Sequence, residues 1–193
     1  MIRAVPPVNR IPDNNTVAER FRRLMTNRAM RFALVFGACF LFGICFLLTP
    51  PMQILDGQFS RSLVRISQEA IQVFGGHALV QGAILRAPSG FAVEMRDGCN
   101  AINVTLLLWS AVLAFPASWK MKALGMGAGS IIIQVLNIIR FVSLFYIGQY
   151  SMRWFDFAHE YLWESLLVLD TMVVFWLWVV RVSRSTVASH AST

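Results

Sequence analysis

The chain has 193 residues, enough for about one domain, with 56% hydrophobic residues, only 14% charged ones and a net charge of +7. A soluble domain usually carries about 25% charged residues, so this balance excludes an ordinary soluble enzyme and points to a chain embedded in lipid. The basic charge forms no face suited to nucleic acid: Arg3, Arg10, Arg20, Arg22, Arg23, Arg28 and Arg31 all precede the first apolar run, which suits retention beside anionic cytoplasmic lipid.

Residues 1–31 form this basic cytoplasmic segment, and Pro6, Pro7 and Pro12 predict a flexible start. The first span is expected over 32–48, an uncharged run from Phe32 to Leu48 near the short end of the 17–25 residues a crossing takes. Thr49-Pro50-Pro51 offers no small-x-small cleavage site, so the span is expected to stay. Cys39 and Cys45 lie inside it and are expected to be packed thiols. The three cysteines show neither a CxxC pair nor any other metal-like spacing.

An outer segment, 49–98, follows. Leu63, Ile66, Ala70, Val73 and Phe74 recur at helical spacing and predict an amphipathic helix on the outer leaflet, ended by Gly75-Gly76. Leu79 to Leu85 and Phe91 to Met95 read as a short β-hairpin around Pro88-Ser89-Gly90. Three further spans are expected over about 101–117, 123–145 and 161–180. Gly125, Gly127 and Gly129 open the third with residues small enough for close helix packing, and Tyr161, Trp163, Trp176 and Trp178 lie near the ends of the fourth, at interfacial depth. Residues 182–193 are a tail. With four spans the N-terminal Arg cluster, Lys120 and Lys122, and Arg181 and Arg184 all fall on one side, which the positive-inside rule makes cytoplasmic. The predicted fold is an all-α integral membrane bundle of about four transmembrane helices, with an outer amphipathic helix and a short hairpin; residues 32–181 form the membrane-embedded domain.

This topology brings three reactive side chains to one depth. Cys99 precedes the second span by two residues, Arg140 is expected within about one turn of the outer end of the third, and His159 precedes the fourth by two. Any one of them has a plain explanation: an inert thiol, a snorkelling Arg, an interfacial His. Together they match a covalent acyl-transfer site. A free thiol is only a few per cent thiolate at neutral pH. A neighbouring guanidinium would stabilise the thiolate or an oxyanion, and an imidazole can take a proton and return it to a leaving amine. Asn137, one turn before Arg140, could orient it. Asn100 could cap the second span or help to form the site. Glu164 could be hydrated or pair with Arg140 or Arg153, and Asp170 sits near mid-membrane.

At these residues the chain resembles the exosortase/archaeosortase family, most closely the exosortase H subgroup. The matching pieces are Asp97-Gly98-Cys99-Asn100-Ala101 leading into a span, Asn137-Ile138-Ile139-Arg140 inside the next, and His159 opening the last. The similarity runs from about Phe59 to Val180. Many members have Gly where this chain has Ala101, and many have more spans. The resemblance implies a bacterial inner-membrane cysteine peptidase/transpeptidase, its site facing the periplasm. Its substrates would be exported proteins with a C-terminal sorting signal, cleaved through an acyl-enzyme on Cys99 with His159 as acid/base and Arg140 stabilising charge. Membrane lipid is the other partner expected, and the resemblance implies that no metal or organic cofactor is required. Two other classes fit the composition: a non-catalytic membrane scaffold, and a small transporter built on Arg140, Glu164 and Asp170.

Overall fold

A computed structural model describes residues 27–96 and 98–190, the side chains of 185–190 excepted. Most of the basic N-terminal segment, Asp97 and the last three residues lie outside the described part. In chain order the elements are α1 (Arg28–Leu47), α2 (Pro50–Val73), β1 (Leu79–Gln81), β2 (Ile84–Arg86), β3 (Ala92–Glu94), α3 (Ile102–Ala114), α4 (Trp119–Tyr150), α5 (Met152–Phe157), a π-helical turn (Ala158–Leu162) and α6 (Trp163–His190).

Three helical stretches are long and apolar enough to cross a membrane: Arg28–Leu47, Trp119–Tyr150 and Met152–Arg184. The chain is a multi-pass, all-α membrane bundle with a small sheet. The second span is shorter than expected. Helix α3 covers 13 residues, about 20 Å of rise against a hydrocarbon core of about 30 Å. Pro116 disfavours helical backbone at the residue before it, and Phe115 is extended at ψ 138°. Lys122 Nζ donates to the Leu113 carbonyl at 2.6 Å, so one of the charges expected to orient the chain also caps this helix end. Helix α4 is longer than expected, 32 residues or about 48 Å, and overshoots residue 145 to reach Tyr150.

The outer segment differs from expectation in two ways. The buried face of α2 is Ser60, Leu63, Val64, Ser67 and Ile71, whereas Ile66, Val73 and Phe74 are exposed. The small Ser60 and Ser67 let the helix lie close to its neighbours, so apolar residues divide between an inner and an outer face. The hairpin is present and larger by one strand. β2 and β3 pair antiparallel with Leu85 opposite Val93, around the expected turn at 87–90. Gly82, at φ +66°, breaks the first expected strand, and the resulting β1 and β2 pair with Leu79 opposite Arg86.

Two cores stack along α4. The outer one joins Leu63, Val64 and Ile71 of α2, the sheet residues Leu85, Val93 and Met95, and Phe141 and Phe145 of α4. The inner one joins Ala101, Leu108 and Val112, Ile133 of α4, and Trp178 and Val182 of α6. The buried stripe of α4 changes character along its length, from Gly125 and Gly129 through Ile133 to Asn137 and Arg140, then to Phe141, Leu144 and Phe145. Its small end admits neighbours: a Cβ at Gly125 would run into the Trp178 indole, and one at Gly129 into the Leu108 side chain, while Gly127 has nothing within 4 Å. The Trp178 Nε1 that Gly125 makes room for donates to the Met121 carbonyl at 2.9 Å. Gly125→Ala should therefore cost about 1–3 kcal/mol by overpacking, whereas Gly127→Ala should be neutral or slightly stabilising through helix propensity. Thermal unfolding of both variants in detergent checks this contrast.

Candidate active site

Residues 98–101 turn sharply before α3 begins. The Cys99 N–H donates to the Arg96 carbonyl at 2.9 Å, and Gly98 takes φ +88°. Asn100, 1% exposed, holds the turn on every side. Its Oδ1 accepts from the Ile102 N–H at 3.2 Å, capping α3. Its Nδ2 donates to Ser60 Oγ at 3.0 Å and to Asp56 Oδ1, both on α2. Its carbonyl accepts from Gln134 Nε2 of α4 at 3.2 Å. Asn100 thus caps the helix and also ties the Cys99 turn to two other helices. Asp56 and Ser60 escaped the sequence reading; the i, i+4 step from one to the other, continued by Val64, was their only signal.

Ala101 occupies the N-cap position with φ 58° and ψ 18°, left-handed backbone that favours glycine. It is also fully buried and belongs to the inner core. Position 101 is therefore one where the backbone is strained for any residue but glycine.

His159 lies in the π-helical turn between α5 and α6. Such turns widen a helix by one residue and recur at functional sites. Phe155, one turn earlier, stacks on the imidazole with ring centroids 5.7 Å apart and planes 12° from parallel. The ring's Nε2 lies 3.6 Å from Cys99 Sγ. This contact bridges 60 residues of sequence.

Arg140 is 6% exposed and Asn137 1%. Arg140 lies ten residues before the end of α4 at Tyr150, about three turns, because the helix runs on past the expected end of the span at 145. Measured from the first residue, Trp119, it lies about 31 Å along the axis, one hydrocarbon thickness. Among the described residues no carboxylate pairs with its guanidinium. Asn137 makes no hydrogen bond to Arg140: both its amide N and its amide O lack a partner among the described residues.

Cys99, Asn137, Arg140, Phe155 and His159 line one cavity of about 380 Å³, walled on another side by β3. Glu164 does not take part: it is exposed and pairs with neither Arg140 nor Arg153 among the described residues. The wider π turn that sets His159 toward Cys99 leaves Glu164 on the outer face of α6. Asp170 is likewise absent from the cavity wall. Among the described residues no group of three His, Cys, Asp or Glu is placed to hold a metal ion. The cavity therefore offers a thiol, an imidazole within reach of it and, among the described residues, a cation with no ion-pair partner and an amide with no hydrogen bond.

The strain at Ala101 gives a test of the turn. Ala101→Gly removes left-handed strain of about 1–2 kcal/mol and loses a buried methyl worth about 0.8 kcal/mol, so stability should stay within about 1 kcal/mol of the parent. Ala101→Val adds branched bulk at both a strained and a buried position and should cost more than about 2 kcal/mol. Chemical denaturation in detergent reads both.

The chain matches the family model described as "Transmembrane exosortase (Exosortase_EpsH)" over residues 24–182, well over half its length. No curated protein and no solved structure matches it.

Proposed function

The chain belongs to the transmembrane exosortase family, and on that premise we propose that it is a cysteine peptidase/transpeptidase, cleaving the C-terminal sorting signal of exported proteins at the outer face of the bacterial inner membrane. The observation that carries this reading is the 3.6 Å approach of Cys99 Sγ to His159 Nε2, in a cavity that also holds Arg140.

In this reading His159 Nε2 takes the thiol proton as Cys99 Sγ attacks the scissile carbonyl carbon. The new C–S bond leaves a negative tetrahedral oxygen, for which the Arg140 guanidinium is the nearby counter-charge. The intermediate collapses by breaking the C–N bond. The departing amine receives the proton held on His159, and a thioester remains on Cys99. Water or an amine then attacks the thioester, gives its proton to the imidazole, and releases the thiolate. Two features suit the family's chemistry. Stacking on Phe155 holds the imidazole in one orientation, so less freedom is lost on reaching the transition state. Asn100 fixes the turn that carries the nucleophile. The transporter reading would need Glu164 and Asp170 in line with Arg140, and neither lines its cavity.

Processing of a sorting-signal protein in cells expressing each variant tests the proposal. Cys99→Ala should reduce cleavage to background. His159→Ala should lower the rate by about 10²–10⁴-fold, the usual contribution of a positioned acid/base. Arg140→Ala should lower it by about 10²–10³-fold, the scale of one lost oxyanion partner. Glu164→Gln should change it no more than a few-fold. Cleavage at the parental rate by Cys99→Ala would exclude the nucleophile and the mechanism with it.

A further inference from the structure

β3 ends the sheet, whose order is β1-β2-β3, and the hydrogen bonds show which of its peptide groups are free. The Ala87 N–H donates to the Phe91 carbonyl at 2.8 Å and the Met95 N–H to the Ala83 carbonyl at 2.9 Å. In an antiparallel ladder bonded and unbonded pairs alternate, so Phe91, Val93 and Met95 turn their main chain toward β2. The N–H and C=O of Ala92 and Glu94 therefore point the other way, and among the described residues they have no partner. The strand is held firmly from behind, because Val93 and Met95 are buried in the outer core and Phe91 packs against it. Both Ala92 and Glu94 line the cavity that contains Cys99. Exposed strand edges are usually covered, because they template pairing with another chain. Here the open edge borders a nucleophile.

We propose that this edge of β3 is a docking strand: an extended segment of the substrate pairs with the Ala92 and Glu94 peptide groups by β-augmentation, which carries its scissile carbonyl past Cys99. Only another extended main chain presents donors and acceptors with the two-residue period these groups require; an acyl chain or a headgroup does not. Asn137 supplies a second point of contact. Its side chain is buried and lines the same cavity, and with both amide atoms unpartnered among the described residues it can donate to one peptide carbonyl and accept from one peptide N–H. Affinity would come from main chain common to all substrates, leaving side-chain preference to the cavity wall. The inference rests on the acyl-transfer reading of Cys99 and adds how the acyl donor is held.

Alkylation of Cys99 in the full-length protein, quantified by mass spectrometry of its peptide, separates the two claims. Three probes are compared: iodoacetamide, a tetra-alanyl chloromethyl ketone with almost no side-chain content, and the same ketone with its peptide nitrogens methylated. Docking predicts that the unmethylated ketone alkylates Cys99 about tenfold faster than its methylated form, the scale of one or two main-chain hydrogen bonds. Glu94→Pro removes an outward N–H and leaves the β2 ladder its own donors; it should lower the ratio of ketone rate to iodoacetamide rate about tenfold. Equal rates for the two ketones, or an unchanged ratio in Glu94→Pro, would overturn the docking strand alone. The methylated probe gives that answer on the unsubstituted chain even if the Pro variant does not fold. Failure of all three probes to modify Cys99 would overturn the nucleophile and, with it, the docking strand.

Discussion

The approach of Cys99 Sγ to His159 Nε2 is the contact on which the rest of the site depends, and it is built from distant parts of the chain. Cys99 is positioned by a turn that Asn100 ties to α2 and α4. His159 is positioned by a π-helical turn and by the face of Phe155. Neither residue reaches the other through local structure. Both rely on α4, the one helix whose buried stripe belongs to both cores. The cavity opens on α4 where the inner core gives way to the outer one, and there its stripe turns polar at Asn137 and Arg140.

Placing these groups there is costly. An Arg near the centre of a bilayer costs about 2.5–3.5 kcal/mol on the lenient insertion scale, less toward the interface, and an unsatisfied buried amide costs about 1–3 kcal/mol. Arg140 lies about one hydrocarbon thickness from Trp119, where the first cost is smallest. In the docking proposal the second would be offset once a substrate peptide group pairs with Asn137. The outer core covers this position with α2 and the sheet, so polar groups are held there apart from the inner core. Ala101 completes the compromise: its left-handed backbone ends the Cys99 turn while its methyl group seals the inner core.

Hydropathy and charge made much of this legible in the chain itself. The first span, expected from Phe32, forms as Arg28–Leu47, and the expectation that Cys99, Arg140 and His159 share one depth came from the alternating direction of the expected spans. What composition could not reveal was contact. An apolar run does not say which of Leu63, Ile66, Val73 and Phe74 meets a neighbour, so the inner face of α2 was displaced by residues such as Ser60 and Ser67 that no apolar pattern marks. The end of α4 was set too early because an apolar window stops near the membrane surface, whereas the helix continues to Tyr150, where Gly148 makes room for the Phe91 ring and Gln149 accepts from Ser89. Asn137 stood at the right spacing to touch Arg140, yet spacing does not decide whether a hydrogen bond forms. Glu164 was assigned on depth alone, which does not tell one side of α6 from the other.

The central claim is that Cys99 carries an acyl group between donor and acceptor. Its most direct test is to isolate the full-length protein from membranes during turnover of a sorting-signal protein, quench it in acid, and map the Cys99 peptide by mass spectrometry before and after hydroxylamine. The account predicts a substrate-derived acyl group on Cys99 that hydroxylamine removes, as a thioester requires. Ongoing cleavage with Cys99 unmodified, or with the acyl group on another residue, would contradict it.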